Sequence, residues 1–255
     1  MKKHYNVAIV GGGPAGTTAA RFAASGGASV ILLEKDREIG VPVRCAEGIS
    51  EEGLTKYVDI NPNWIASTIT DFGFISPSGK MVVFQSPTIG YILRRHLFDH
   101  SLAELASDMG AEIYTKAYVH GLIRSGSKTT LYLRYIGVET EIEADIMIAA
   151  DGIESRIAHL AGIKTKLSPK DIEPSAQMQL ANIDVNPNRG DFYLSHNWAP
   201  GGYVWVFPKG NNIANVGLGI NGKYAGVRSP LEYLESFVTE KFPTATRLTT
   251  IAGGV

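Results

Sequence analysis

The sequence predicts an α/β protein that consists of a Rossmann-like domain and a second, sheet-rich α+β domain. Between Tyr5 and Glu34, an apolar strand, a glycine-rich turn, an alanine-rich helix and a second apolar strand follow one another, which is the pattern of a parallel βαβ unit. Beyond about Lys164 the strands are longer and more aromatic. We therefore expect a dinucleotide-binding domain over residues 1–65 and 90–163, and a substrate domain over residues 66–89 and 164–255.

The composition excludes several classes of function. The 255 residues are 44% hydrophobic and carry a formal net charge of −1, so the chain can bury a core and has no general attraction to nucleic acid. The only cysteine, Cys45, excludes an intramolecular disulfide and a multi-cysteine metal site, and we predict no bound metal. No apolar run approaches the roughly 20 residues that cross a bilayer. We expect a cytoplasmic protein whose membrane contact, if any, is peripheral at the inner face.

The turn between the first strand and the first helix carries a dinucleotide-binding motif. Gly11, Gly13 and Gly16 fit the pattern G-x-G-x-x-G directly after the strand. They permit a tight turn, a close approach of the backbone to a pyrophosphate, and close packing of the helix against the strand, respectively. The helix N-terminus offers unpaired N–H groups to the phosphates. Glu34 ends the second strand, where an acid accepts hydrogen bonds from ribose hydroxyls and repels a 2′-phosphate, which argues against NADPH at this site.

A later strand and turn, residues 145–156, favour FAD as the dinucleotide. The sequence D-I-M-I-A-A-D-G-I-E-S-R resembles the second FAD fingerprint of the flavoprotein monooxygenase and reductase superfamily with the para-hydroxybenzoate hydroxylase-like fold. The resemblance implies a glutathione reductase-type FAD-binding domain in which Asp151 and Gly152 lie near the pyrophosphate or the ribityl chain. Taken alone, Asp-Gly is also a common turn dipeptide and Ser155 a common helix cap.

Within that superfamily, three segments resemble the archaeal geranylgeranyl reductase family, which saturates the polyprenyl chains of membrane-lipid precursors. They are V-P-V-R-C-A-E-G at 41–48, Y-I-L-R-R-H-L-F-D at 91–99, and G-Y-V-W-V-F-P-K at 202–209 followed by A-N-V-G at 214–217. The element Y-x-W-x-F-P with the downstream A-N-V-G is the most specific of these. The family's third flavin fingerprint would follow residue 255, so we expect the sequence to be part of a longer protein.

The motifs and the resemblance together imply a set of site residues. Those expected to bind FAD are Gly11, Gly13, Pro14, Ala15, Gly16, Glu34, Lys35, Arg44, Cys45, Ala46, Arg95, Val119, Asp151, Gly152 and Arg156. The expected catalytic residues are Cys45, Tyr203 and Trp205. The residues expected to bind a polyprenyl lipid are Tyr203, Trp205, Phe207 and Pro208. The external electron donor stays open between NADPH, a reduced deazaflavin and a ferredoxin.

The residue pattern by itself leaves alternatives open for several of these residues. Alternation along a strand places Tyr203, Trp205 and Phe207 on one face, where they either line a tunnel for a prenyl chain or form core. Cys45 follows a cation, a setting that favours a reactive thiolate, yet a lone cysteine is more often a small buried hydrophobe. Arg44 and Arg95 are either phosphate or flavin contacts or solvated arginines.

The function also has alternatives at this stage. The main prediction is an FAD-dependent oxidoreductase that reduces carbon-carbon double bonds of geranylgeranyl chains by hydride transfer from reduced flavin. An unactivated alkene needs a strong hydride donor and a proton source on its other side, which predicts an apolar tunnel with few titratable groups. One alternative is an FAD-dependent aromatic monooxygenase, which needs polar groups to hold a phenol. Another is a non-catalytic dinucleotide-binding module.

Overall fold

A computed structural model describes residues 1–165, 167, 168 and 171–254, and the chain divides into two compact units. The first unit contains residues 1–43 and 95–166, and the second contains residues 44–94 and 167–255. This division differs from the predicted boundaries, because residues 44–65 and 90–94 belong to the second unit and residues 164 and 165 to the first. Positions 166, 169, 170 and 255 of the predicted domains lie outside the described residues.

The elements are numbered in chain order. The strands are β1 (His4–Val10), β2 (Val30–Leu33), β3 (Gly48–Ser50), β4 (Ile65–Ile75), β5 (Met81–Leu93), β6 (Glu112–Tyr114), β7 (Ala117–Ser125), β8 (Lys128–Tyr135), β9 (Val138–Ala149), β10 (Pro174–Ala181), β11 (Arg189–Tyr193), β12 (Tyr203–Pro208), β13 (Ile213–Gly219) and β14 (Thr246–Gly254). The α-helices are α1 (Pro14–Ser25), α2 (Glu51–Thr55), α3 (Arg95–Asp108), α4 (Arg156–Leu160) and α5 (Pro230–Lys241).

The sheet of the first unit has the strand order β6–β2–β1–β9–β8–β7. Strand β1 runs parallel to both of its neighbours, with Val10 opposite Leu33 of β2 and opposite Ala149 of β9. Because carboxyl ends of parallel strands meet at the same edge, the segments that follow β1, β2 and β9 emerge side by side. The predicted Rossmann-like βαβ unit is therefore confirmed, including helix α1 between Pro14 and Ser25.

The sheet of the second unit has the strand order β14–β10–β13–β12–β11–β4–β5–β3. Helix α5 buries Leu234 and Phe237 in a core with Val204, Val206 and other residues of β10, β12 and β13. Strand β3 pairs antiparallel with β5, which joins the segment after residue 44 to this sheet. That long-range pairing explains why the domain boundary lies at residues 43 and 44 and not near residue 65.

In the glycine-rich turn, the first and third glycines of the motif are packed so closely against backbone atoms that they have no room for a side chain. A Cβ atom at Gly16 would lie 1.9 Å from the carbonyl oxygen of Gly11. Gly11 itself has a φ of +111°, and a Cβ there would lie 2.2 Å from the carbonyl oxygen of Ala150. The start of α1, the turn and the end of β9 are thus in close contact through backbone atoms alone, as predicted for the first and third glycines of the motif.

We expect Gly16→Ala to destabilise the protein. The added methyl group must displace either α1 or the turn, and overpacking of this kind lowers the free energy of unfolding by about 1–3 kcal/mol. Urea denaturation of the FAD-free protein measures the change. The matched control is Gly26→Ala at the other end of the same helix, where the new Cβ would lie 3.4 Å from the Ala23 oxygen. Equal stability of both variants would contradict the close-packing argument.

Candidate functional site

The carboxylate of Glu34 is fixed beside the glycine-rich turn. Its Oε2 accepts a hydrogen bond of 2.6 Å from the backbone N–H of Gly12, and its Oε1 accepts one of 2.8 Å from the N–H of Asp36. Each carboxylate oxygen can accept a second hydrogen bond. Glu34 therefore lies where the sequence places it, next to the turn and with acceptor capacity for hydroxyl groups.

The N-terminus of helix α1 is open to an anion. Gly13 is the N-cap residue, no side chain caps the helix there, and the first turn of α1 contains no acidic residue. A Cβ atom at Gly13 would meet no atom within 4 Å, in contrast to Gly11 and Gly16. The backbone thus leaves space in front of N–H groups that carry partial positive charge. This local structure, which includes Pro14 and Ala15, fits a pyrophosphate.

The turn after β9 lies at the same edge of the sheet. The carboxylate of Asp151 accepts a 2.9 Å hydrogen bond from the N–H of Ile157 and so caps helix α4. Ser155, which the sequence offered as an alternative helix cap, has a φ of +46°, and its side chain makes no capping hydrogen bond. Gly152 has a φ of +77°, and a Cβ atom there would meet no other atom within 4 Å. The hydrogen bond of Asp151 thus fixes the conformation of the turn in which Gly152 lies.

Two further residues that we expect to bind the cofactor contact each other. The guanidinium of Arg156 donates a hydrogen bond to the backbone carbonyl of Val119 and lies 4.6 Å from the centre of the Tyr118 ring. Val119 is buried in the core of the first unit. The structure therefore brings the start of α4 against β7.

Lys35 and Arg95 are both engaged in ion pairs. The ammonium of Lys35 lies 3.0 Å from Asp36 at the surface. The guanidinium of Arg95 forms two hydrogen bonds, of 2.6 and 2.8 Å, with the buried carboxylate of Asp99 one helical turn away. Arg95 is thus held rigidly at the start of α3 and is not a solvated arginine.

The aromatic residues of β12 lie on the face of the sheet opposite the core. Val204 and Val206 belong to the buried core, whereas Tyr203, Trp205 and Phe207 are only partly covered and point to the other face. The predicted aromatic face therefore exists and is not core. Pro208, also predicted to bind substrate, is buried at the end of the strand and falls on the core face by the same alternation.

Cavities on both sides of this aromatic row share a common wall. One cavity has a volume of about 270 Å³ and is lined by Arg44, Trp205 and residues of β10 and β14. Another, of about 360 Å³, is lined mainly by residues of β3, β4, β5 and β11. The residues that line both cavities are Cys45, Ala46, Tyr203 and Phe207. The predicted catalytic residues Cys45, Tyr203 and Trp205 are thus brought together around these cavities.

Trp205 is held in place by Gln177 and Gly217. Its indole N–H donates a 2.9 Å hydrogen bond to the side-chain oxygen of Gln177, whose amide nitrogen donates a 3.1 Å bond to the carbonyl oxygen of Cys45. A Cβ atom at Gly217, opposite Trp205 on β13, would lie 2.4 Å from the indole ring. Gln177 therefore links two predicted catalytic residues, and Gly217 provides the space that the ring occupies.

A buried polar cluster lies beneath the Cys45 loop, and sequence reasoning did not assign it. The Glu47 carboxylate accepts hydrogen bonds from the ammonium of Lys209 and from the amide of Asn215. Lys209 also donates a 3.0 Å bond to the carbonyl of Leu93. All three cluster residues fall within segments that resemble the reductase family. The opposite charges of Glu47 and Lys209 within those segments are the one sequence signal that could have indicated an ion pair.

The larger cavity is extended by phenylalanine side chains that sequence reasoning also missed. Phe192 of β11 lies with its ring centre 5.9 Å from that of Phe72, 5.5 Å from that of Tyr203 and 5.6 Å from that of Phe207. At the cavity wall, the Tyr91 hydroxyl donates to Glu51, and this bond, with some burial, raises the pKa of Tyr91. The aromatic surface therefore continues from β12 across neighbouring strands.

Residues 1–165, 167, 168 and 171–254 contain no group of three or more His, Cys, Asp or Glu side chains that could hold a metal ion. Within the same residues, no helix combines the length and the apolar character needed to span a bilayer.

Two family models match separate parts of the chain. Residues 6–42 match the model of the FAD-dependent oxidoreductases, and residues 171–255 match that of the geranylgeranyl reductase catalytic domain. The first match contains the glycine-rich turn and Glu34, and the second contains the aromatic strand β12. The prediction of FAD as the cofactor is therefore confirmed.

Curated relatives and solved structures resemble the chain over nearly its whole length. It is 44% identical to the digeranylgeranylglycerophospholipid reductases of Methanocella arvoryzae and Methanosarcina mazei, covering 100% of this chain and 66% and 64% of theirs. A crystal structure of a geranylgeranyl bacteriochlorophyll reductase-like protein from Thermoplasma acidophilum is 36% identical with a TM-score of 0.94, over 99% of this chain and 66% of that one.

The chain thus spans slightly less than two thirds of the length of these relatives. The matches include both units, the glycine-rich turn and the segment with the aromatic strand. On these findings the chain belongs to the geranylgeranyl reductase family of FAD-dependent oxidoreductases.

Proposed function

We propose that the protein reduces carbon-carbon double bonds in the geranylgeranyl chains of archaeal-type membrane phospholipids, with FAD as its cofactor. The observation that carries this proposal is the wall formed by Cys45, Tyr203 and Phe207 between apolar cavities of the second unit. The names of the curated relatives, digeranylgeranylglycerophospholipid reductases, support the same substrate class.

The cofactor would be held by the edge of the sheet in the first unit. The N–H groups at the start of α1 would bind the pyrophosphate in the open space at Gly13, and Glu34 would accept hydrogen bonds from the ribose. Contacts of the other predicted residues with FAD stay predictions. When bound and reduced, FAD supplies the hydride that the alkene requires.

The residues of the second unit would bind the lipid and provide the proton. Tyr203, Trp205 and Phe207 would contact the prenyl chain and exclude water from it. Reduction adds a hydride to one alkene carbon and a proton to the other, so that the double bond becomes a saturated CH–CH unit. We assign the proton to the Cys45 thiol, which regains it from solvent after each reduction.

The character of the cavity walls favours reduction of a prenyl chain over hydroxylation of a phenol. A monooxygenase site needs polar groups that are free to orient a phenol. The wall acids are Glu47, which is paired with Lys209, and Glu173. Of the wall phenols, Tyr91 donates to Glu51, and Tyr203 lies in the aromatic row. Most other wall residues are aromatic, aliphatic or glycine. Such a surface matches a long apolar ligand.

The electron donor and the membrane contact belong to the same proposal. NADPH, a reduced deazaflavin and a ferredoxin all remain candidates, and anaerobic flavin reduction rates with each donor distinguish them. A lipid substrate also requires that the protein reach a membrane surface, so we infer peripheral contact at the inner face. Reduction of vesicle lipids without cosedimentation of the protein would contradict that contact.

The reductase activity has a direct test. The full-length protein with FAD is photoreduced without oxygen and mixed with a geranylgeranyl phospholipid, with a saturated phospholipid of the same headgroup as the control. We expect reoxidation of the flavin only with the unsaturated lipid, together with hydrogen gain in that lipid by mass spectrometry. Because a general acid contributes about 100-fold or more to rate, Cys45→Ala should slow the reaction by at least that factor.

Two results would contradict the reductase proposal. No reoxidation with the unsaturated lipid would favour a non-catalytic module. Oxygen-dependent hydroxylation of an aromatic compound, with no change in the lipid, would favour a monooxygenase.

The assignment of the pyrophosphate site predicts a selective effect at Gly13. In Gly13→Ala the methyl group enters the space in front of α1, so we expect FAD affinity to fall about tenfold, equivalent to about 1.4 kcal/mol. The free energy of unfolding of the FAD-free protein should not change, because no protein atom is near the new group. Flavin fluorescence titration measures affinity, with Gly26→Ala as control. Unchanged affinity would remove Gly13 from the site.

The position of Trp205 predicts an effect on lipid binding. In Gly217→Ala the new methyl group overlaps the indole ring and lies 2.8 Å from the carbonyl oxygen of Ala176, so Trp205 must move away from Gln177 and β10 must also adjust. We expect a higher KM for the lipid and a loss of about 1–3 kcal/mol in the free energy of unfolding. The control is Gly121→Ala in β7, whose Cβ would lie 3.6 Å from Tyr132. An unaltered KM would mean that Trp205 does not bind the chain.

A further inference from the structure

The cluster beneath the Cys45 loop contains an ion pair that is almost completely removed from water. The side chains of Glu47 and Lys209 are only 5% and 10% exposed. Asn215, which is 1% exposed, donates to the same carboxylate oxygen and approaches the carbonyl of Ala46 at 3.4 Å. Lys209 is also bound to the Leu93 carbonyl. The carboxylate is thus held by Lys209, which follows β12, and by Asn215 of β13, and the Leu93 carbonyl at the end of β5 holds Lys209 in turn.

Glu47 is directly connected to the sulfur of Cys45. Its backbone N–H points at the Cys45 Sγ at 3.2 Å. Glu47 has a φ of +73°, a left-handed conformation that a residue with a side chain adopts rarely and only where its surroundings hold it. Two contacts provide that hold: the carbonyl oxygen of Glu47 accepts a 2.9 Å hydrogen bond from the N–H of Leu93, and its carboxylate is anchored by the ion pair. The backbone bond fixes the carbonyl side of the residue, and the ion pair fixes its side chain.

Stability alone does not account for a charged pair at this place. Two charges lose their hydration on burial, and well-packed apolar side chains of similar size generally stabilise a protein as well or better. A charged pair does, however, fix the orientation of the side chains that form it, because hydrogen bonds between the carboxylate, the ammonium and the amide each require a particular geometry.

We propose that Glu47 and Lys209 are positioning residues, whose buried ion pair fixes the 45–47 turn so that the Glu47 N–H holds the Cys45 sulfur in the wall shared by the cavities. The importance of this for turnover rests on the proposed reductase function. The position of the sulfur itself does not depend on that function and can be measured separately.

The test uses the full-length protein with bound FAD and three sets of variants. Glu47→Gln with Lys209→Met removes both charges and leaves no unpaired ion. Lys209→Arg keeps the charge as a conservative variant. The matched control is Arg189→Met with Asp191→Asn, which removes another largely covered ion pair of the same sheet, with side chains 20% and 10% exposed.

The first measurement is the rate of Cys45 alkylation by iodoacetamide across pH, quantified by peptide mass spectrometry. We expect a faster reaction and an altered pH profile in the uncharged double variant, an intermediate profile in Lys209→Arg, and the original profile in the control. The second measurement is lipid reduction, where a displaced catalytic group costs about 100-fold in kcat while KM changes little.

The outcomes separate this proposal from the proposed function. An unchanged alkylation profile in a folded double variant would overturn the positioning role. Unfolding of both the double variant and Lys209→Arg would also overturn it, because the ion pair would then be required for stability. An altered profile in a protein that reduces no lipid would support the positioning of Cys45 and contradict the reductase function.

Discussion

The alternation of side chains along β12 and β13 is the constraint on which the second unit depends. One face supplies Val204, Val206, Val216 and Leu218 to the core beneath α5. The opposite face then necessarily carries Trp205 and its neighbours, which line the cavities. A slip of one residue in strand pairing would exchange the two faces. The apolar core therefore fixes the register, and the register places the aromatic row on the cavity side without further interactions.

The first unit depends on a different constraint, the close approach of backbone segments. Parallel pairing of β1 with β2 and β9 brings three turns to one edge of the sheet. Gly11 and Gly16 then pack against backbone oxygens, while Gly13 has no neighbour at its missing side chain. The same motif thus contains glycines that serve packing and one that leaves space. This distinction separates the residues required for folding from the residue that we assign to the pyrophosphate.

Much of the fold could be predicted from the sequence because its signals are local. Helix α1 directly follows the glycine-rich turn, as predicted, and residue spacing alone places the aromatics of β12 on one face. The domain boundary could not be predicted this way, because it depends on pairing of β3 with β5, about 40 residues later. The contacts of the polar cluster could not be predicted either, because Glu47 and Lys209 are separated by 162 positions, although both lie in segments that resemble the family. Even the cap of α4 depends on the path of the chain, which brings Asp151 and not Ser155 to the N–H of Ile157.

The energetic costs in the second unit are concentrated around Cys45. A left-handed residue with a side chain costs on the order of 1–3 kcal/mol, and burying an ion costs several kcal/mol before its partner is counted. Glu47 carries both costs, and the adjacent cavity face leaves aromatic surface uncovered. The core beneath α5 has no such cost, because its side chains are apolar and packed. The apolar core on one face of the sheet thus stabilises the unit. That stability offsets the unfavourable conformation and the buried charge of Glu47, which lies beside the Cys45 thiol.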